Sequence, residues 1–467
     1  MNTILCAVTI LINLLLAEVF DGLTLITSGN NSGSATSILI DNDENIINTW
    51  SHDTRPASIA YLMPDSILFV PCKKTSGGGG QGGGPGGGRY KKMNWEGDII
   101  WDYYLPDEIC VPHHDITVLP NGNILSICSE TKSQAEASSS GLLINGTLTL
   151  DMVIEIKPMS DNNAEIVWEW HFWDHLVQDQ DSNLSNYGNI SENPQLLNIN
   201  VNSSSDNQEI SDWNHTNCIS YNSTLDQIVL SSRFMSEFYV IDHSTTTSEA
   251  SSHTGGNSNM GGDLLYRWGN PQNYGRGTQS SQILDNQHGV NWIEQDYPGE
   301  GNFILFNNFH SNNSSAVLEI IPPIDSNGLY LIDSVNPYGP SSYTWIYQSD
   351  FFSDKQSGAF RLPNGNTLIN SDLDGRIFEV SSNSEIEWEY QGNLNTARAI
   401  KYSFDYFNSS ILGDLNNDGY ANVLDIVLLV NIILGFNDSI NSADLNVDGL
   451  INVLDIVQLV GIILGNK

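Results

Sequence analysis

"ITVLPNGNILSI" occupies residues 116–127 and "AFRLPNGNTLIN" residues 359–370. Each places alternating apolar residues on both sides of Pro-Asn-Gly-Asn. Asn-Gly tolerates the left-handed conformations of a tight turn, so each stretch reads as strand, turn, strand. Looser versions are "ASIAYLMPDSILFV" (57–70), "ISYNSTLDQIVLSS" (219–232) and "NWIEQDYPGEGNFILFNN" (291–308). A second unit alternates with them, a short strand built around an aromatic: "NIINTWS", "DIIWDYY", "EIVWEWH", "LLYRWGN", "YTWIYQS" and "EIEWEYQ", anchored near Trp50, Trp101, Trp168, Trp268, Trp345 and Trp388. Six periods with almost no helical periodicity predict an all-β fold, a six-bladed β-propeller over residues 22–408. The competing architecture is a pair of β-sandwiches.

The strand around Trp50 precedes the first full hairpin, and "RAIKYSFDYF" (398–407) follows the last aromatic strand. One blade is therefore expected to be shared between the two ends of the propeller, closing the ring without a free edge. The run "SGGGGQGGGPGGG" (76–88) cannot pack a core and reads as a surface loop, as do the polar stretches 203–212 and 245–262.

Of 467 residues, 17 are Lys or Arg and 55 are Asp or Glu, for a net charge of −38. That balance excludes nucleic acid and anionic membrane surfaces as partners, because phosphate is repelled. It suits a chain kept soluble in salt, or one that binds cations. Residues 1–17 carry an apolar run ending near Ala17 and read as a signal peptide, with a membrane anchor as the alternative reading. The run is shorter than the roughly 20 residues a span needs, and no later segment is long enough. The expected location is outside the cytoplasm: secreted, periplasmic or at the cell surface. Cys6 lies in the leader, leaving Cys72, Cys110, Cys128 and Cys218, which permit disulfides without specifying their pairing. Sequons at Asn145, Asn189, Asn222 and Asn313 matter only in a glycosylating host.

The hairpin starts carry the chemistry. "HHDITVLPNGN" begins with His113 and His114, "NHTNCISYNST" brings His215, "QHGVNWIEQD" brings His288, and "QSGAFRLPNGN" has Ser357 in the matching place. Inner strands of a propeller line its channel, so register-equivalent positions face one another across the axis. A cluster of His114, His215 and His288 is expected there. Such a trio suits either zinc or a nucleophile with acid/base partners. Arg233 stands 18 residues after His215, at the end of the returning strand. In a chain so poor in cations, an arginine near the axis favours a sulfate or phosphate group over a divalent metal.

In these segments the chain resembles the bacterial arylsulfate sulfotransferases: "HHDITVLPNGNIL", "DWNHTNCISYNSTLDQIVLSSR", "QHGVNWI" and "SGAFRLPNGNTLI" occur in that order, and the likeness spans about residues 35–405. The resemblance implies transfer of a sulfuryl group from an aryl sulfate to a phenol, with no nucleotide donor and no catalytic cofactor. It further implies His288 as a nucleophile forming an N-sulfohistidine. His114, His215 and Arg233 would hold the sulfate oxygens, and one of the histidines would protonate the leaving phenolate. His113 competes with His114 for its place, and His310 reads as a loop residue. The alternative function is a non-catalytic propeller that binds sulfated or other anionic ligands at the cell surface.

Residues 411–467 form a second unit. "GDLNNDGYANVLDIVLLVNIILG" (413–435) and "ADLNVDGLINVLDIVQLVGIILG" (443–465) are near copies 30 residues apart. Each has oxygen donors at loop positions 1, 3, 5, 7, 9 and 12 with Gly at 6, an EF-hand-like Ca²⁺ loop followed by a helix. The ligand sets are Asp414, Asn416, Asp418, Tyr420 (carbonyl), Asn422 and Asp425, then Asp444, Asn446, Asp448, Leu450 (carbonyl), Asn452 and Asp455, for two ions in all. The tandem resembles a type I dockerin, which implies a cohesin-like partner. After the ninth loop position stand Val423 and Leu424, and Val453 and Leu454, instead of small hydroxylic residues, which leaves docking within the same chain as the other reading.

Overall fold

The computed structural model describes residues 18–28, 35–57, 59–74, 86–202, 210, 212–311, 313–392, 396–408, 413, 415–416, 421–437, 443–446 and 450–464. The leader, most of the glycine-rich run, and Asp414, Asp418, Tyr420 and Asp448 lie outside the described residues.

Six four-stranded antiparallel sheets make a six-bladed propeller. In the closing blade the C-terminal strand Ala399–Ser403 lies innermost and pairs with Gly22–Thr27, with Thr24 opposite Lys401; Ala35–Ile40 and Ile46–His52 complete it. The other blades begin on inner strands Tyr61–Leu62, Val111–Val118, Thr216–Asn222, His288–Trp292 and Gly358–Arg361, numbered here as blades two to six. The near-identical hairpins behave as the turn chemistry requires: Gly122 and Gly365 both take positive φ.

The recurrent tryptophans fasten each blade to the next. Trp50 donates its indole N–H to the Asn94 carbonyl at 2.9 Å, Trp101 to Met159 at 3.1 Å, Trp168 to the Thr245 hydroxyl at 3.2 Å, Trp268 to Pro340 at 2.7 Å, and Trp388 to Asn42 at 2.9 Å. Every acceptor sits in the connection between the third and fourth strands of the following blade. The sixth contact is Trp345, whose ring lies 5.0 Å from the Arg361 guanidinium of blade six. A buried indole N–H must find an acceptor, so these contacts set the spacing of the ring as well as filling its seams.

A disulfide joins Cys110 and Cys128, while Cys72 and Cys218 are free and buried. Beyond the propeller, helices Val423–Ile433 and Val453–Ile463 pack through a small core that includes Leu415, Leu429, Leu445 and Leu459. Among the described residues, no helix is long and apolar enough to cross a membrane.

The ends of the ring are locked by a buried ion pair. Lys401 Nζ donates to Glu379 at 2.8 Å, and the other Glu379 oxygen accepts from Phe20 N–H and the Asn366 amide, both at 2.6 Å. Lys401→Met leaves this carboxylate buried and uncompensated. The substitution should cost about 3–5 kcal/mol, read as a lowered midpoint in denaturant unfolding. An unchanged midpoint would show that the closing blade does not depend on the pair.

Candidate active site

Three inner strands bring histidines to one end of the channel. His114 and His215 are buried with ring centroids 4.6 Å apart. Both adopt left-handed backbone, at φ 55° and 50°, and so does Ser357 at 78° in the matching register of blade six. Such conformations cost about 1–3 kcal/mol each in non-glycine residues and mark sites where side-chain direction matters more than backbone ease. His288 reaches the cluster differently. Its strain falls on the neighbours, Asn286 at φ 54° and Gly289 at 64°. A Cβ at Gly289 would lie 2.8 Å from the Gly358 Cα, so only glycine lets these two inner strands approach so closely.

The hydrogen bonds around His288 fix its tautomer. Asn308 spends its amide N–H groups on the Ser353 and Gln356 carbonyls, at 2.9 and 3.2 Å. Its Oδ1 therefore faces His288 Nδ1, at 2.8 Å, and the Asn286 carbonyl lies 3.0 Å from the same nitrogen. Both are acceptors, so Nδ1 carries the proton and Nε2 keeps its lone pair. Burial pushes the His288 pKa down to about 3, with the charges of Arg233 and His215 adding to the effect against the hydrogen bond to Asn308. The ring stays neutral.

The other members are each oriented by a partner. His215 Nδ1 donates to Asp212 at 2.5 Å, and its ring packs 4.7 Å from Phe234. His114 Nδ1 lies 2.8 Å from His113 Nδ1, and His113 Nε2 donates to Asp151 at 3.0 Å. Asp151 also accepts from Thr216 N–H at 2.6 Å, which ties blade three to blade four. His114 is held well below the ordinary histidine range by burial first, then by the charges of His113, His215, His288 and Arg233. Arg233 N–H meets the His215 carbonyl at 3.1 Å, and its Nε donates to Asn286 at 3.0 Å, so Asn286 touches both Arg233 and His288. Below this layer the axis is filled by Asp115, ion-paired to Arg398, and by Cys218, 3.1 Å from the same guanidinium.

The structure brings His114, His215 and His288 together with Arg233. His113 does not replace His114 but supports it. His310, expected in a loop, instead belongs to the end of strand Phe303–Ser311, where its ring packs against Tyr343. Asp212, Asn286, Asn308 and Asp151 carry no sequence signal strong enough to single them out. Asp212 stands three residues before His215, in the motif itself, yet one aspartate among so many acidic residues is unremarked until its contact is seen.

A model of the arylsulfotransferase (ASST) family matches residues 17–406. The chain belongs to the arylsulfotransferase family. A type I dockerin domain model matches residues 412–464. No curated protein matches the chain significantly. Among solved structures it is similar to a protein of unknown function from Bacteroides caccae, at 10% identity over 82% of this chain and 99% of that one, TM-score 0.43. It is also similar to a putative 6-phosphogluconolactonase from Bacteroides fragilis, at 9% identity, 82% and 98% coverage and TM-score 0.39. Virginiamycin B lyase from Staphylococcus aureus matches at 12%, with 80% and 85% coverage and TM-score 0.33. These sequences share too little with the arylsulfotransferase chain to speak to its chemistry.

The dockerin loops fit calcium. Asp425 and Asp455, at the twelfth loop positions, are buried, and each accepts from the backbone N–H groups of the second and third loop residues, at 2.8 and 3.0 Å and at 2.8 and 3.3 Å. Each carboxylate thereby ties the start of its loop to the helix that follows, and the oxygen donors in the loop sequence are the set a Ca²⁺ ion takes.

Loss of stability in acid follows from the buried rings. His288 and His52 are pushed down to about 3, and His114 also lies well below the usual value, each chiefly by burial. Unfolded, these histidines protonate near pH 6.5. The unfolded chain then binds protons that the folded chain refuses. The contribution of these rings to stability is full above that pH and falls as pH drops toward 3, by about 1.4 kcal/mol per pH unit for each such group. Denaturant unfolding between pH 7 and 4 checks the slope. His288→Asn and His52→Asn should each flatten it.

Proposed function

We propose that this propeller transfers a sulfuryl group from an aryl sulfate to a phenolic acceptor through a sulfated His288. The observation that carries the reading is the orientation of that ring: neutral, donating from Nδ1 to Asn308, with the Nε2 lone pair left for attack. Nε2 attacks sulfur, the N–S bond forms, and the S–O bond to the aryl group breaks. Charge on the equatorial sulfate oxygens is met by Arg233 and by the N–H groups of His114 and His215, as in phosphoryl transfer. One proton lies between His113 and His114. When His113 holds it against Asp151, His114 presents Nε2–H to the anion. With a second proton on its ring balanced by the Asp212 carboxylate, His215 gives its Nε2 proton to the leaving phenolate and regains one from the incoming phenol. The acceptor oxygen then attacks sulfur, and the N–S bond breaks to restore His288. Phe234, 42% exposed beside Arg233 and His215, offers an aromatic face at the mouth.

In this reading the protein is exported by the leader, residues 22–408 work as the transferase, and residues 411–467 attach it to a cohesin-like partner through a Ca²⁺-folded module. The ions would be held by Asp414, Asn416, Asp418, Tyr420, Asn422 and Asp425, and by Asp444, Asn446, Asp448, Leu450, Asn452 and Asp455. Bound Ca²⁺ supplies charge neutralisation for these carboxylates. The chain's own contribution is the helix capping by Asn422 and Asn452 and the apolar core between the helices.

Two measurements test the function. Mixing the mature protein with p-nitrophenyl sulfate should add about 80 Da and release nitrophenol in a burst. His288→Asn should abolish both, and Arg233→Lys should slow the burst by about 100-fold or more. A mass gain that persists in His288→Asn overturns the assignment of the nucleophile, and binding of aryl sulfate without mass gain makes the propeller a binding protein. Chelation of Ca²⁺ should remove the far-ultraviolet helix signal of residues 423–463 and leave the burst unchanged. Retained helix signal would contradict metal-coupled folding.

A further inference from the structure

A second histidine cluster lies outside the channel, on blades three and four. The turn Phe172–His175 follows the outer strand of blade three, and the long connection between Glu237–Asp242 and Tyr266–Trp268 carries His253 and Asp263. His175 Nδ1 lies 2.8 Å from Asp263 Oδ1, and His253 Nδ1 lies 2.7 Å from the same oxygen. The three donor atoms lie within 4.8 Å of one another. His175 is fully buried, Asp263 nearly so, and the His253 side chain is 59% exposed.

The hydrogen bond on the far side of His175 decides what this cluster is for. Its Nε2 lies 2.9 Å from the Ala250 carbonyl, which only accepts, so Nε2 carries the proton. In the neutral ring, Nδ1 then has a lone pair aimed at a carboxylate oxygen. Two acceptors at 2.8 Å need a proton or a metal ion between them. The surroundings are built to hold the ring in this pose. Trp170 stacks on it at 5.4 Å, with the planes 8° apart, and donates its indole N–H to the Gly262 carbonyl at 2.7 Å. Glycine is required at 262, because a Cβ there would lie 2.0 Å from the Ala250 oxygen and 2.6 Å from His175 Nε2.

We infer that His175, His253 and Asp263 bind one divalent transition metal, with zinc the best match to two imidazoles and a carboxylate. The Nε2–H to Ala250 contact is the outer-shell bond that orients a metal-bound histidine. Ligand atoms of a tetrahedral zinc stand roughly 3.3 Å apart, so the cluster opens by about half an ångström to admit the ion. The exposed His253 and its loop can supply that movement. Three protein ligands leave a fourth position for water. His253 also lines a cavity of about 410 Å³ with Trp173, Asp174 and Tyr187, which gives that water access. The metal pins the connection of residues 243–265 to the turn after blade three, a role independent of the sulfuryl chemistry on the axis.

The test uses the full chain with Ca²⁺ in excess, cleared of transition metals and titrated with Co²⁺. One equivalent should bind with the intense visible bands of four-coordinate cobalt, and Zn²⁺ should displace it. His253→Ala, at an exposed position, should weaken binding by more than the roughly 10–100-fold typical of losing an outer-shell partner. Asp263→Asn should do the same, and a His114→Ala/His288→Asn double variant should bind as wild type. Absence of the bands, their persistence in His253→Ala, or their loss in the channel double variant would each overturn the site and leave a shared proton between His175 and Asp263.

Discussion

A tryptophan side chain in an outer strand has one polar group and a large apolar body, and burying the body obliges the N–H to find an acceptor. In this propeller five indoles meet that demand on the following blade, and Trp345 meets blade six through the Arg361 guanidinium instead. The contact from Trp388 to Asn42 spans the junction between the chain's two ends. Each bond alone is worth about 1 kcal/mol. Their larger effect is geometric, since they fix how far each blade turns relative to the last. The inner strands converge at the spacing this sets, and the axial cluster inherits its dimensions from it.

At the axis the fold accepts costs that an ordinary core avoids. His114 and His215 sit in left-handed backbone, Asp115 and Arg398 are buried, and several imidazoles crowd an arginine. The arrangement persists because each group has a partner from another blade: Asp151 bridges to Thr216, and Asn286 touches both His288 and Arg233. In a chain of net charge −38, Arg233 supplies positive charge at this cluster against a general field that repels anions from the rest of the surface. Burial then keeps the proposed nucleophile neutral, as attack on sulfur requires.

Much of this was legible in the residues. The repeated Asn-Gly hairpins and the aromatic strands announced the blade count, because turn chemistry and period-two alternation are local properties. The histidine register announced the cluster, because equivalent positions of a closed repeat must meet. The supporting groups were not legible. Asn308 is one asparagine among many, 20 residues from His288, and it acts only because its amide is held by two carbonyls of the segment before blade six. His175 lies in a turn 88 residues before Asp263, and His253 and Asp263 lie in a later connection, with no shared register to connect them. The Cys110–Cys128 pairing was equally closed to inspection, since four cysteines permit three connectivities.

The amino-acid sequence by itself determined the propeller, the tandem helical module after it and the identity of the axial histidines and arginine, since each rests on spacing within a short stretch or on repetition of one. Only the tertiary structure decided which nitrogen of His288 is free, which carboxylate orients His215, and that two distant loops share one carboxylate oxygen. Those facts depend on hydrogen bonds between segments far apart in the chain, and the direction of such a bond is set by what else each partner must satisfy.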